Sequence, residues 1–128
     1  LNNFFQGDVK LGNSNLHKLT QKIRDFNAKR DWEQFHCPKN LAMALHVEVA
    51  EIAEHFQWLT AEQSMKLNAA KLSQIKDEIG DTLIFLLNLS DKLGIDPLAA
   101  AADKLKKNQK KYPIKKAKGN AAKYSEYQ

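Results

Sequence analysis

The chain has 128 residues, 43% of them hydrophobic and 27% charged, with five Gly and three Pro; that is one domain's worth of sequence with a single core, and it excludes collagen-like, wholly disordered and membrane-spanning classes. The formal net charge of +5 is uneven, since residues 97–128 carry nine Lys against Asp103 and Glu126, a net +7, while residues 1–96 carry 11 basic and 13 acidic side chains, a net −2. The single cysteine, Cys37, cannot close a disulfide within the chain and no secretory leader is visible, so a reducing cytoplasm is the expected compartment.

Residues 1–14 show no sustained period and read as a flexible leader. Ser14 or Asn15 caps a first helix reaching to about residue 30, with Leu16, Leu19, Ile23 and Phe26 as its apolar stripe. Residues 31–39 break the pattern and gather Trp32, Phe35, His36 and Cys37 into a connector. A second helix is expected over residues 41 to about 58, with Leu41, Leu45, Val49, Ile52 and Phe56 as its stripe. Thr60 and Gln63 have capping-box spacing, which opens a short helix over roughly 61–69. The third long helix carries Leu72, Ile75, Ile79, Leu83, Leu86, Leu87 and Leu93 at helical spacing until Gly94 stops it. Asp96 and Pro97 then supply a cap and a first-position proline for a fourth helix, which runs to about residue 111 before Tyr112-Pro113. No segment alternates with period two. The expectation is an all-α fold, a bundle of four main helices over residues 15–113, followed by a basic C-terminal tail over 114–128.

Each helical residue advances about 100°. Relative to Leu45, Glu48 is therefore turned about 60° and Glu51 about 120° to the same side of the helix. Glu78 and Asp81 stand in that same relation to Ile75. Two helices therefore each present a pair of carboxylates on the border of the apolar stripe. Packing those flanks together makes a four-carboxylate cluster that is unfavourable without a cation. An all-oxygen set favours Mg²⁺ or Mn²⁺ over zinc, and Mg²⁺ habitually takes phosphate oxygens from a substrate. Glu54, on the side of the helix opposite the stripe, is expected to face solvent. His17, His36, His46 and His55 make no zinc spacing with Cys37 and read as structural or surface residues; Glu33-x-x-His36 is a lone copy in a connector, which argues against a di-iron site. Trp32, Trp58 and Phe85 suit either core packing or a stacking wall for a base. Lys104 and Asn108 lie one helical turn apart on the basic fourth helix, where such residue types reach phosphate or sugar.

The run DWEQFHCPKNLAMALHVEVAEIAEHFQW, followed by KDEIGDTLIFLLNL, resembles the MazG-like family of all-α nucleoside triphosphate pyrophosphohydrolases, especially its dCTP-cleaving branch, over about residues 16–127. The resemblance implies an intertwined helical dimer, often a dimer of dimers, that cleaves a deoxynucleoside triphosphate to monophosphate and pyrophosphate with Mg²⁺. It assigns the metal ligands and the catalytic role to Glu48, Glu51, Glu78 and Asp81. It assigns the base pocket to Trp32 and Trp58, with Phe85 where the family usually has Tyr, and the phosphate and sugar contacts to Lys104 and Asn108. His36 matches the connector histidine, and Ile23 stands where the mammalian branch has a histidine. A dUTP or phosphoribosyl-ATP pyrophosphatase is the alternative within the superfamily. A non-enzymatic nucleotide- or nucleic-acid-binding module is the alternative outside it, and the acidic flanks oppose a stable nucleic-acid complex.

Overall fold

The computed structural model describes residues 15–127, so the leader expected over 1–14 lies outside the described residues. These residues divide between Ile95 and Asp96 into two compact units. The first holds α1 (Asn15–Ala28), a 3₁₀ turn (Glu33–Phe35), α2 (Pro38–Glu54), the single turn α3 (Ala61–Ser64) and α4 (Ala69–Lys92). The second holds α5 (Pro97–Lys111), α6 (Ile114–Ala117) and a 3₁₀ turn (Tyr124–Glu126). No strand occurs among the described residues, and the chain is all-α as its periodicity requires. None of these helices is long and apolar enough to cross a membrane.

Local chemistry accounts for the helix ends. The α1 helix stops because Asp31 takes a left-handed conformation, φ 54°. The Asp31 N–H then donates to the Ala28 carbonyl and the Trp32 N–H to the Asn27 carbonyl, both at 3.1 Å, which is the Schellman pattern. At the end of α4 the same pattern uses Gly94, φ 65°, with its N–H on Asp91 and the Ile95 N–H on Ser90. Helix α2 begins at Pro38, earlier than the apolar stripe suggests, because proline suits the first helical position. It ends at Glu54, short of Trp58, where Phe56 and Leu59 donate across three-residue turns instead of continuing the helix. The Thr60–Gln63 capping box forms in both directions, but the helix it opens, α3, is only four residues long.

Within the first unit, α2 lies along α4 and α1 packs on α4. Ile23, Leu41, Ile75 and Leu87 are the buried apolar side chains. Two of the buried polar residues are satisfied locally, the Thr20 hydroxyl on the Leu16 carbonyl and the Ser90 hydroxyl on the Leu86 carbonyl. A third contact is long-range: the Asn27 amide donates to the Asn88 side-chain oxygen across α1 and α4 at 2.9 Å. Arg24 clasps both oxygens of Asp91, and Lys92 pairs with Glu33, which fixes α1 and the connector to α4. Part of the predicted apolar stripes is nonetheless open: Val49 on α2, and Ile79, Leu83 and Leu86 on α4, are exposed, Ile79 by 54%, and so are Met43 and Val47 on the opposite side of α2.

In the second unit Asp96 caps α5 by accepting from the N–H groups of Leu98 and Ala99. The segment beyond Pro113, which composition reads as a basic tail, folds back on itself. Tyr112 meets the rings of Tyr124 and Tyr127 edge-on at 6.1 Å each, and the Lys111 ammonium lies 3.8 Å from the Tyr124 ring centre.

Candidate active site

The packing of α2 on α4 brings the two acidic flanks together. Carboxylate oxygens of Glu48, Glu78 and Asp81 lie within 4.8 Å of one another. Glu51, one turn beyond Glu48 on α2, stands close enough for its charge to act on both Glu48 and Glu78, so it belongs with that group. Burial, followed by the charge of Glu51, pushes the Glu48 carboxyl above its ordinary pKa. For Glu78 burial is again the largest cause, followed by the hydrogen bond and charge of Glu51. One oxygen of Glu48 is buried with no hydrogen-bond partner. A buried carboxylate oxygen left unpaired beside like charges is costly, and a hard divalent cation answers both problems at once. The donor set fits such an ion: all oxygen, with no thiolate in the cluster. Glu54, further along α2, is exposed as its helical phase requires.

Two side chains that sequence reasoning left aside join this cluster. His55 Nε2 stands 4.0 Å from Glu78 Oε1, and the Lys71 ammonium stands 3.4 Å from His55 Nδ1. The signal was available: His55 follows Glu48 by seven residues and Glu51 by four, which is one helical face. Zinc spacing alone does not reveal it; phase relative to the carboxylates does.

Next to the carboxylates is a cavity of about 390 Å³ whose wall includes Trp32, His36, Phe85 and Asp81. Trp32 meets Phe26 edge-on at 5.6 Å and His36 at 6.3 Å, so the aromatic side of the cavity is a braced set of rings. His36 Nδ1 is buried without a partner. Because Asp81 belongs both to the cavity wall and to the carboxylate group, the aromatic slot opens directly on the acidic cluster. The structure thus brings Glu48, Glu51, Glu78 and Asp81 together, and joins Trp32, His36 and Phe85 to them. Trp58 does not line the cavity; it is 87% exposed after the end of α2. Lys104, exposed, and Asn108, half-buried, belong to α5 in the second unit.

Residues 43–127 match the MazG-like family. Over 113 residues, 87% of this chain, the sequence is 38% identical to dCTP pyrophosphatase 1 of Bos taurus and 39% identical to that of Rattus norvegicus, and it spans 67% and 66% of their lengths. Among solved structures, a pyrophosphatase from Archaeoglobus fulgidus superposes with a TM-score of 0.75 at 36% identity, over 80% of this chain and 95% of that one.

Removing one carboxylate while keeping its shape tests the cluster. Glu48→Gln or Asp81→Asn should lower hydrolytic turnover at least about 100-fold, as loss of a group stabilising developing charge does, with the helical circular dichroism unchanged. Glu54→Gln should stay within a few-fold of wild type, and an equal loss in all three would remove the cluster from the chemistry.

The raised pKa values also have a sign. Glu48 and Glu78 bind protons more readily folded than unfolded, so their contribution to stability is complete below the ordinary carboxylate range and is lost as pH rises through the raised values. In EDTA, melting temperature should therefore be lower at about pH 7 than at about pH 5 as far as these groups govern it. A divalent cation should raise it more at the higher pH, and scanning calorimetry with and without Mn²⁺ reads both effects.

Proposed function

The chain belongs to the MazG-like family and is a nucleoside triphosphate pyrophosphohydrolase, and we propose that it acts on a deoxynucleoside triphosphate, dCTP or a close relative, with Mg²⁺, cleaving it to the monophosphate and pyrophosphate and so cleaning the nucleotide pool. One observation carries this reading: a cavity walled by aromatic rings shares Asp81 with a close-set group of carboxylates. A flat base and a charged phosphate chain need those two environments side by side.

Glu48, Glu51, Glu78 and Asp81 would hold the ion, with Mn²⁺ able to replace Mg²⁺. When bound, such an ion neutralises charge on the phosphates and favours in-line attack by water. The chain's own residues do the rest. Glu48 or Glu51 accepts the proton of the attacking water, since both lie in the cluster and Glu48 has an oxygen without another partner. Trp32 and Phe85 stack on the base, and His36 completes the wall beside Trp32. The family resemblance would give Lys104 the phosphates and Asn108 the sugar. Trp58 is retained as a base-stacking residue that acts through assembly, because it is too exposed to serve as core.

The open apolar stripes on α2 and α4 support a homo-oligomer, a dimer or tetramer, as the working form. The acidic cluster would repel a nucleic-acid backbone, which supports a free nucleotide as the partner and no stable nucleic-acid complex. The lone thiol, Cys37, is compatible with a reducing cytoplasm.

Pyrophosphate release from a panel of dNTPs, NTPs and 5-substituted dCTP analogues tests the substrate. Release should require Mg²⁺ or Mn²⁺, cease in EDTA and be fastest with dCTP or a related deoxynucleotide. A panel led by ribonucleotides, or release unaffected by EDTA, would refute the proposal.

Assembly has its own measurement. Sedimentation should give a dimer or tetramer at micromolar concentration, and Val49→Glu should shift it toward monomer. A wild-type protein that sediments as a monomer would show that the open stripes serve something else.

A further inference from the structure

The cavity wall contains a buried polar pair that the mechanism does not use. Asn27, in the last turn of α1, and Asn88, on α4, are 4% and 8% exposed, and both line the cavity that also holds Trp32 and Phe85. The Asn27 amide donates to the Asn88 oxygen at 2.9 Å. A carboxamide has two N–H donors and two lone pairs on its oxygen, so this one bond leaves a carbonyl acceptor on Asn27 and an NH₂ on Asn88. Neither side chain makes another hydrogen bond among the described residues.

A pair present only to join two helices would be as well served by apolar side chains of similar shape, and the leftover groups are not sealed away, since both amides line the cavity. The surroundings also weigh against pure glue: Ile23, Phe26, Ile84 and Phe85 make much of that wall apolar, and the two amides sit among them as neutral hydrogen-bonding groups, with His36, Lys22 and Asp81 as the other polar members of the lining. The conclusion does not depend on how the amides are assigned. Exchanging oxygen and nitrogen in both side chains reverses the bond between them and still leaves one free carbonyl and one free NH₂.

We propose that Asn27 and Asn88 act together as the specificity-determining pair of the base pocket, offering one acceptor and one donor to a nucleobase that carries a donor beside an acceptor on its edge, as the 4-amino group and N3 of cytosine do. The proposal rests on the nucleotide reading above and deepens it. Asn27 is well placed for the role, because its backbone carbonyl holds the Trp32 N–H while its side chain holds Asn88, so the stacking ring and the edge-reading amides are fixed by one residue.

The test compares dCTP with the triphosphate of pyrimidin-2-one deoxyriboside, which lacks only the 4-amino group, in the wild type and in the double variant Asn27→Leu/Asn88→Leu. Wild type should prefer dCTP in kcat/KM by 10-fold or more, and the variant should lose most of that preference, chiefly through KM for dCTP. The ratio of two substrates on one preparation is independent of how much of the variant is folded. If the Leu pair keeps the wild-type ratio, the amides are only a helix contact and the proposal is overturned. If wild type cleaves neither nucleotide, the parent reading itself fails. NMR titration of each protein with dCMP and its 4-unsubstituted analogue gives the same comparison without turnover, and equal discrimination by both proteins would again defeat the pair.

Discussion

The constraint on which the first unit depends is the forced proximity of like charges where α2 meets α4. Leu41 and Ile75 are nearly or fully withdrawn from water, and with the helices held in that register the flanking carboxylates are brought face to face. Burial is the largest cause of the raised pKa at both Glu48 and Glu78, ahead of repulsion. The helices could relieve the repulsion by rotating, but that would expose the apolar contacts. The fold therefore maintains a high local demand for positive charge. His55 meets part of it from within the chain, since its proximity opposes the upward shift at Glu78. One imidazole beside four carboxylates cannot complete the neutralisation, which is why the donor set has to be read together with an ion.

Rigid surroundings hold that arrangement. The Arg24–Asp91 fork and the Lys92–Glu33 pair join α1 and the connector to α4, but both are partly exposed, and exposed pairs contribute at most about 1 kcal/mol each. They orient more than they stabilise. The left-handed Asp31 matters more for geometry. A non-glycine residue in that conformation costs on the order of 1 kcal/mol, offset locally by the two Schellman bonds and by Gln34, whose amide donates to both the carbonyl and the carboxylate of Asp31. This sharp reversal is what turns Trp32 back beside Phe26 instead of carrying the chain onward along the helix axis.

How much of this could be read from residues alone depends on how far apart the cooperating groups lie in the chain. Helix stops and starts were legible at Gly94, at the Thr60–Gln63 box and at Asp96-Pro97, because each rests on bonds between near neighbours in sequence. The carboxylate cluster was legible for a related reason: Glu48 with Glu51, and Glu78 with Asp81, share a flank by helical arithmetic, and only their mutual approach needed tertiary structure. The Asn27–Asn88 bond was not legible, because it joins residues 61 apart and depends on how α1 is rotated against α4. The ring cluster of Tyr112, Tyr124 and Tyr127 is hidden from a composition reading for the same reason: Lys and Ala dominate the stretch between Tyr112 and Tyr124, and what closes the cluster is contact between rings on separate turns. The exposed parts of the apolar stripes were misleading in the opposite direction, since periodicity reports that a face is apolar and says nothing about which chain covers it.

That last point bears on how the cavity and the open face are related. A unit whose described core rests on four buried apolar side chains, while Val49, Ile79 and Leu83 remain exposed, has little burial with which to oppose the repulsion at its own acidic seam. Hydrophobic burial contributes roughly 25 cal/mol per Å², and carboxylates drawn partly out of water without a counter-ion oppose folding. Covering the α2 and α4 stripes with a second copy would add burial on the helices that carry the carboxylates, so the proposed association and the proposed ion would stabilise the same packing. The two should then be thermodynamically linked: an ion that binds the assembled form better must, by reciprocity, strengthen assembly by the same factor. On this view the acidic seam is tolerable because two external partners, a cation between the helices and an apolar surface across them, each reduce the demand on the other.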